Sequence, residues 1–527
     1  MGPPDTRHVS HKPLLAAIGL AALVYAVAAI AGWPQQGAQL VAHAGDAEAQ
    51  HEAQPVAGPE GGAPLADAEY APYWMILPFA VLLGAIAILP LVPATTHWWD
   101  NNLHRFYVAA GLGIATLVYY LLLHPYPVQW HWLQTRQVEP AAAGPNVAVT
   151  LAVLANAILA EYIPFIVLLF SLYAISGGIR IEGDLRAHPS TNAAFLAVGG
   201  LLASFIGTTG AAMVLIRPLL ETNRERRNVQ HTVVFFIFVV CNCGGCLLPI
   251  GDPPLFLGYL RGVDFLWTVR LWPEWLAVNG ALIAIYYVWD RFWAYPRESA
   301  QAIATDEVRT HRLRFSGLWP NGALLLGVIL SIAFLDPGKP LPGTGWHPWV
   351  YLREVVQLVF VGLSLALGRE APRRQNRFNY HAIVEVAVLF FGIFVCMQPP
   401  LEILHVEGPS LPLRSPVHFF WATGSLSSVL DNAPTYVVFF ETARTLRDVV
   451  GGGLVAGVPE ALLAGVSLGA VFMGAMTYIG NGPNFMVKAI AEKSGVRMPS
   501  FFGYMAYSFA VLLPLFAATS WLFLRGG

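Results

Sequence analysis

Long apolar segments recur along almost the whole chain, and they constrain its fold more than any other feature. A helix needs about 20 predominantly apolar residues to cross the hydrocarbon core of a bilayer. Ten stretches approach or exceed that length, at about 72–92, 106–124, 147–179, 229–257, 272–289, 317–335, 350–368, 380–398, 460–487 and 501–524. The pattern predicts an all-α polytopic membrane protein.

The composition excludes most other classes of protein. Only 12% of the 527 residues are charged, about half of the 25% that is usual in soluble domains. The 32 acidic and 30 basic residues nearly cancel, so nothing points to nucleic acid as a partner. No Walker motif is present, so ATP is not expected to drive the protein. We expect a chain without cofactor or enzymatic activity whose main partner is the lipid bilayer of a bacterial-type cytoplasmic membrane.

The N-terminus has the form of a targeting segment. A basic flank precedes an apolar run from Leu14 to Ala31, and the small-x-small sequence Ala42-His43-Ala44 follows. This order is typical of a signal peptide, although the run is also long enough for an uncleaved anchor. The sequence therefore predicts a signal peptide or signal anchor over 1–44. A flexible extracytoplasmic segment is expected over 45–71, which is rich in Ala, Gly, Pro and acids.

The distribution of Lys and Arg predicts the orientation. The loop 290–316 carries five arginines and is placed inside as a cytoplasmic linker. If the two broken apolar stretches at 192–222 and 416–447 each enter and leave on one side, the inner segments hold 20 basic residues and the outer ones 8. Full crossing by either stretch would spoil this alternation. Both are therefore predicted to be re-entrant hairpins.

The two halves of the chain resemble one another weakly. Thr208-Thr209-Gly210-Ala211 aligns with Asp431-Asn432-Ala433-Pro434, and the stretch Gly245–Asp252 aligns with Gly474–Asn481, at offsets of 223 and 229. The charge count makes 72–289 begin outside and 317–527 begin inside. These ranges are predicted to be two inverted repeats of five spans, each with a re-entrant hairpin and a broken helix. Such repeats are typical of secondary transporters, whose substrate sites lie near the midplane.

Four interruptions of the apolar stretches point to the site. Pro and Gly in 248–255 and 480–484 cannot continue a helix, and unpaired backbone survives in a membrane only where it lines a cavity or finds partners. Oxygen-bearing side chains gather at these breaks and at the hairpin tips, and hard cations prefer such ligands. The candidate ion- and proton-binding residues are Thr208, Thr209, Asn242, Asp252, Asp431, Asn432, Thr435, Asn481 and Asn484, with Asp431, Asn432 and Asn481 as sodium candidates. The alternative interpretation is that these residues only cap the broken helices.

Two further acids within spans, Glu161 and Glu385, align at an offset of 224. Acids are rare and costly inside a membrane, so both are added to the candidate ion- and proton-binding residues. The alternative is that each belongs to a buried ion pair. A carboxylate that holds either a proton or a cation, but not both, is the simplest physical basis for antiport.

The strings at 207–220, 244–256, 430–435 and 480–485 resemble those of NhaD-type sodium/proton antiporters and their citrate-transporter-like relatives in the ion transporter superfamily. The resemblance covers about 72–524. It implies ion sites at the hairpin tips and a homodimer with an elevator-like motion. It also implies one half-site from Thr208, Thr209, Asn242 and Asp252 and a second from Asp431, Asn432, Thr435, Asn481 and Asn484. Leu248 stands where the relatives usually have a hydroxyl residue.

Three functions are weighed from the sequence. Sodium/proton antiport leads, because basic residues are scarce near the breaks and a small cation needs none. Cation-coupled symport of citrate or another carboxylate is the alternative. The third is a membrane enzyme or metal sensor built on Cys241, Cys243 and Cys246, which lacks any second ligand cluster in the sequence.

Overall fold

The computed structural model describes residues 11–53, 70–308 and 310–525, and these are predominantly helical. Two helices open the chain, α1 (Lys12–Ile30) and α2 (Trp33–Ala53). The second helix continues past residue 45, where the sequence predicted a flexible segment. The rest of that segment, 54–69, lies outside the described residues.

The first half contains ten helices. They are α3 (Leu77–Ile88), α4 (Pro93–Trp99), α5 (Asn102–Leu122), α6 (Val147–Ala155), α7 (Ile163–Ser176), α8 (Pro189–Ile206), α9 (Thr208–Thr222), α10 (Gln230–Val239), α11 (Pro253–Leu260) and α12 (Trp272–Trp289). A π-helical turn, Asn156–Tyr162, joins α6 to α7.

A linker helix, α13 (Ala300–Val308), precedes the second half, which also contains ten helices. Its helices are α14 (Leu318–Phe334), α15 (Leu352–Leu367), α16 (Glu370–Gln375), α17 (His381–Cys396), α18 (Gln398–Glu407), α19 (Pro416–Ser427), α20 (Asn432–Arg444), α21 (Glu460–Met473), α22 (Gly482–Lys493) and α23 (Phe501–Phe523).

Sheet is limited to three short antiparallel ribbons among the described residues. They pair β1 (Val128–Trp130) with β2 (Arg136–Val138), β3 (Arg180–Asp184) with β4 (His311–Ser316), and β5 (Leu454–Val455) with β6 (Val458–Pro459). All six strands lie in connections between helices, so the ribbons join loops and do not form a core.

The helices are long and apolar enough for a membrane. Within the described residues, five spans meet the length and hydropathy needed to cross one, and seven do if two bent helix pairs each count as one span. The five are Lys12–Ile30, Asn102–Leu122, Val147–Ser176, Pro189–Ile206 and Phe501–Phe523. The protein is therefore an all-α polytopic membrane protein, as the apolar pattern predicted.

Local sequence explains where several of these helices begin. Pro189, Pro253 and Pro416 stand at the first helical position of α8, α11 and α19, where the missing N–H costs nothing and the fixed φ suits a helix. The side chain of Ser415 accepts from the backbone N–H of His418 at the start of α19.

Both predicted hairpins are reversals between two packed helices. The arms α8 and α9 contact each other, as do α19 and α20. The first turn is made by Gly207 at φ 78°, a left-handed value that favours glycine. The arm α8 has 18 residues and is about 27 Å long, which is long enough for a full crossing, so the re-entrant course of the hairpins stays a prediction.

Helix packing divides the described helices into two groups. The helices α5, α7, α14, α15 and α17 contact one another, whereas the hairpins and broken helices pack mainly among themselves. The N-terminal helix α1 lies against α15, and the Tyr25 hydroxyl donates to the carbonyl of Val350 at 3.1 Å.

Connections that the charge count assigns to one side also contact each other. On the predicted inner side, β3 pairs with β4 and the Arg217 guanidinium donates to the carbonyl of Asn376 at 2.7 Å. On the predicted outer side, Arg270 pairs with Glu460 at 2.6 Å. These contacts agree with the predicted alternation of loops.

A buried ion pair fixes the inner end of α12. The Arg226 guanidinium donates to both oxygens of Asp290 at 2.5 and 3.0 Å, and the Tyr286 hydroxyl donates to the same carboxylate at 3.0 Å. Burial alone would raise the pKa of Asp290, but the hydrogen bonds and charges of His231 and Arg226 outweigh it and hold that pKa well below its usual value. The pair ties the loop after α9 to the start of the linker.

We expect Asp290→Asn to lower the free energy of unfolding by about 3–5 kcal/mol, because it leaves the buried Arg226 charge uncompensated. The lowered pKa means that this stabilisation is complete above the unfolded pKa, about 3.9, and is lost as the pH falls further. Denaturation of the detergent-solubilised protein at neutral pH measures this change in the free energy of unfolding. Asp448→Asn, at an exposed pair, serves as control and should change stability by less than about 1 kcal/mol.

The predicted orientation is tested by single cysteines at exposed loop positions. The four native cysteines are buried, so they should react slowly with an impermeant maleimide. We expect Ala142→Cys and Thr344→Cys to react from outside the cell, and Ala304→Cys and Ser494→Cys to react only after permeabilisation. Labelling of all four from one side would contradict the inverted arrangement.

Candidate functional site

Three buried side chains from both halves of the chain meet at one buried carboxylate, that of Asp252. Asp252 Oδ1 accepts from the Thr208 hydroxyl at 2.9 Å and from Asn481 Nδ2 at 3.0 Å, and its Oδ2 accepts from Asn432 Nδ2 at 2.6 Å. Each of the four residues is at most 3% exposed. We call Thr208, Asp252, Asn432 and Asn481 the tip cluster, because they lie at the hairpin tips and helix breaks.

Two more of the predicted residues, Asn242 and Asn484, form a hydrogen-bonded pair near the tip cluster. Asn242 Nδ2 donates to the carbonyl of Ile237 and to Asn484 Oδ1, both at 2.8 Å. Asn484 Nδ2 donates to the carbonyls of Gly474 and Thr477 at 2.9 and 3.0 Å. The remaining oxygen, Asn242 Oδ1, is buried without a hydrogen-bond partner among the described residues. It is a free acceptor beside the breaks.

The two helix breaks have closely related geometry. A Cβ at Gly251 would lie 2.2 Å from the carbonyl oxygen of Gly245, and a Cβ at Gly480 would lie 2.7 Å from that of Gly474. Only glycine allows the backbone to approach so closely at these points. The pairs occupy aligned positions of the two sequence blocks, so the similarity between the halves extends to their local structure.

A serine from each hairpin supports the neighbouring break. The Ser204 hydroxyl donates to the carbonyl of Gly244 at 2.6 Å, and the Ser427 hydroxyl donates to the carbonyl of Ala470 at 2.7 Å. These bonds satisfy carbonyls that the interrupted helices leave without an intrahelical partner. The sequence analysis missed both serines, although their offset of 223 matches that of the hairpin tips.

Four helices begin at the tip cluster. The first residues of α9, α11, α20 and α22 are Thr208, Pro253, Asn432 and Gly482. The N-terminus of a helix carries a partial positive charge. The convergence therefore favours negative charge at this point, and the ionised form of Asp252 benefits from it.

Asp431 and Thr435 have local roles at the second hairpin tip. The Asp431 carboxylate accepts from the backbone N–H of Ala433 at 3.0 Å and caps α20. The Thr435 hydroxyl donates to the carbonyl of Asp431 at 2.9 Å. Asp431 is close enough to Asp252 for the two charges to interact. Thr209 is half-buried beside Thr208 and is not a hydrogen-bond partner of the tip cluster within the described residues.

Glu161 and Glu385 lie outside the tip cluster, in ion pairs with arginines. Glu161 Oε1 accepts from Arg261 Nη2 at 2.6 Å, and Glu385 Oε1 is 3.0 Å from Arg105 Nη2. Arg261 also contacts Glu441 at 3.2 Å, so it connects the π-helical turn, the end of α11 and α20. Their geometry therefore fits the alternative interpretation, in which each acid belongs to an ion pair.

The cysteines contribute backbone and packing rather than ligands. Cys241, Cys243 and Cys246 are fully buried thiols, and the carbonyl of Cys241 accepts from Asn481 Nδ2 at 3.0 Å. Among the described residues they form no group with His, Asp or Glu that could hold a metal ion. The geometry does not support a metal sensor built on them.

Two surface concavities lie along α12, away from the tip cluster. One of about 660 Å³ is lined mainly by apolar residues between Ala284 and Arg297. A smaller one, of about 150 Å³, lies between α8 and α12. Neither includes a tip residue. With Asp252 only 1% exposed, the carboxylate of the tip cluster is closed to solvent in this conformation.

The arrangement of the tip cluster limits the chemistry that it can perform. It has one carboxylate, two side-chain amides and one hydroxyl, all joined by hydrogen bonds to the carboxylate oxygens. Such a carboxylate can hold a proton as a carboxylic acid or a small cation as a ligand, and no bond between heavy atoms has to form or break when one replaces the other.

The comparisons with known proteins agree with a transporter. The model of one protein family, CitMHS_2, described as "Putative citrate transport", matches residues 68–524. No curated protein matches the chain. The match covers both halves with their hairpins and broken helices, and the chain therefore belongs to this citrate-transport family.

Proposed function

We propose that this secondary transporter is a sodium/proton antiporter of the NhaD type in the cytoplasmic membrane. The observation that carries the proposal is the tip cluster, in which one buried carboxylate receives hydrogen bonds only from neutral donors. No basic side chain is hydrogen-bonded to Asp252, Asn432 or Asn481 within the described residues. Such a site attracts a small cation and has no fixed charge for an anion.

The exchange takes place at Asp252. In the sodium-bound form, the Asn432 and Asn481 amides turn their oxygens to the ion beside the carboxylate, and Asp431 lends its charge from the cap of α20. In the proton-bound form, the neutral carboxyl keeps its hydrogen bonds and the ion leaves. Because burial without a positive partner penalises the ionised carboxyl group, one of the two cations occupies it in each crossing.

Access alternates because the site is built from two hairpins that enter from opposite sides. The hairpins and broken helices pack mainly among themselves and less against α5, α7, α14, α15 and α17. A movement of the first group against the second would carry the closed tip cluster from one side to the other. The ion pair of Arg261 with Glu161 crosses this boundary and has to rearrange in such a movement.

Cation-coupled uptake of citrate or another carboxylate is the second candidate. Two observations favour it: the four helix N-termini at the tip cluster, which suit an anion, and the description of the family. Against it stand Asp252 and the nearby Asp431, whose negative charges repel a tricarboxylate unless cations intervene. We therefore place antiport first.

The two functions are separated in everted membrane vesicles that carry a pH-sensitive dye. For antiport, we expect sodium to release the respiration-driven acidification of the lumen when no citrate is present. Labelled citrate is expected to remain outside the cytoplasmic compartment in intact cells. Sodium-dependent citrate accumulation without a sodium-induced pH response would instead establish the symporter.

We expect Asp252→Asn to reduce sodium-dependent exchange to the background of empty vesicles, because the amide cannot alternate between proton and cation. Asp431→Asn should also abolish exchange and leave the protein folded, since Asn caps a helix about as well as Asp. The matched control is Asp448→Asn, an acid in an exposed connection. Full activity of Asp252→Asn would refute the assignment of Asp252, and full activity of Asp431→Asn would reduce Asp431 to a cap.

Competition at one carboxylate also predicts the pH dependence of transport. As the external pH falls, protons displace sodium, so the sodium concentration for half-maximal exchange should rise, by at most about tenfold per pH unit for one competing proton. Initial rates at several pH values measure the slope. A half-maximal sodium concentration that is independent of pH would show that the two cations use separate sites.

A further inference from the structure

A second group of acids lies at the predicted inner face, apart from the tip cluster. Asp184 ends β3, Glu225 lies in the connection between α9 and α10, and Asp306 belongs to the linker helix α13. One ligand atom from each lies within 4.8 Å of those from the other two. The arm α8, about 27 Å long, runs from the connection that contains Asp184 to the hairpin tip at Gly207.

Each of the three carboxylates has a buried oxygen without a hydrogen-bond partner among the described residues. These atoms are Asp184 Oδ1, Glu225 Oε2 and Asp306 Oδ1. Asp306 is the most enclosed, at 5% exposed, and its other oxygen accepts from the backbone N–H of Ala187 at 2.9 Å. That hydrogen bond holds the Asp306 side chain in place and leaves its other oxygen, Oδ1, without a partner among the described residues. A buried acceptor without a partner is costly, which points to a missing ligand.

The neighbouring arginine does not neutralise the three acids. Arg226 donates to the carbonyl of Ala187 at 3.2 Å, but its charge is engaged by Asp290 and Glu298. Among the described residues, none of the three acids forms an ion pair with Arg or Lys.

Arg226, two histidines and one further acid act on the group electrostatically. His188 interacts with Asp306, and its Nε2 is buried without a hydrogen-bond partner within the described residues. His311 lies opposite Asp184 in the ribbon of β3 and β4 and acts on it as well. Glu221 adds negative charge near Asp184. Among the described residues, the four acids therefore outnumber these three basic groups, which are Arg226 and the two histidines.

We propose that Asp184, Glu225 and Asp306 bind a hard divalent cation, of the kind of Ca²⁺ or Mg²⁺, at the inner face of the transporter. Three carboxylates without cysteine are the donor set that these ions prefer. Water completes the coordination, and His188, whose Nε2 is unpartnered among the described residues, offers a nitrogen ligand to a softer ion. The cation would join the base of the first hairpin to the linker between the two halves.

This site does not depend on the transported substrate, so it is tested by binding and stability. The purified full-length protein in detergent is heated with CaCl₂, MgCl₂ or MnCl₂, or with NaCl at equal ionic strength, after removal of metal with EDTA. At a cation concentration one hundred times the dissociation constant we expect a rise in Tm of about 2–3 °C. Mn²⁺ titration followed by electron paramagnetic resonance should give one bound ion per chain.

Asp306→Asn and Glu225→Gln should each abolish the divalent-dependent rise and the bound Mn²⁺. Their Tm in EDTA should equal or exceed that of the unaltered protein, because a like charge is removed, and this separates loss of the site from loss of the fold. Glu307→Gln removes the adjacent, exposed acid of α13 and should retain both effects. The proposal is overturned if divalent and monovalent salts stabilise the protein equally, or if Asp306→Asn still binds one Mn²⁺.

Discussion

A single carboxylate buried between two halves of one chain is the interaction on which this structure depends. Asp252 accepts hydrogen bonds from a hydroxyl of one hairpin, an amide of the other hairpin and a second amide at the break of the opposite broken helix. An ionised group without water needs several donors, and a single helix cannot supply them all. The need for these donors explains why the four interruptions meet at one place.

The breaks themselves require support, and the supporting contacts are mostly backbone to backbone. Gly251 and Gly480 pack directly on the carbonyls of Gly245 and Gly474. The serine hydroxyls of the hairpins satisfy adjacent carbonyls. The tip cluster is thus held by a rigid frame of small residues, with its functional side chains pointing inward. This division allows the polar side chains to exchange partners while the backbone around them keeps its shape.

The sequence predicted the architecture well because its signals are local. Apolar length predicted the helices, and Gly207 and Pro253 predicted where they break. Which of two acids would become the hub was not predictable, because Asp252 and Asp431 both precede the first turn of a short helix. Their difference depends on what the other half of the chain presents. The partners of Glu161 and Glu385 were hidden for the same reason, since Arg261 and Arg105 are 100 and 280 residues away from them.

The aligned positions 252 and 481 hold an acid and an amide, and this difference determines the net charge of the pair. With an acid at one and an amide at the other, the pair is neutral when it holds one monovalent cation and negative when it holds none. Under the proposed exchange, both loaded forms cross the bilayer interior without this charge, while the vacant form carries it. The proposal therefore makes the return of the vacant carrier the slowest of these movements, because only that form carries the charge through the bilayer. Under this proposal, electrostatics opposes leakage of the gradient through the vacant form.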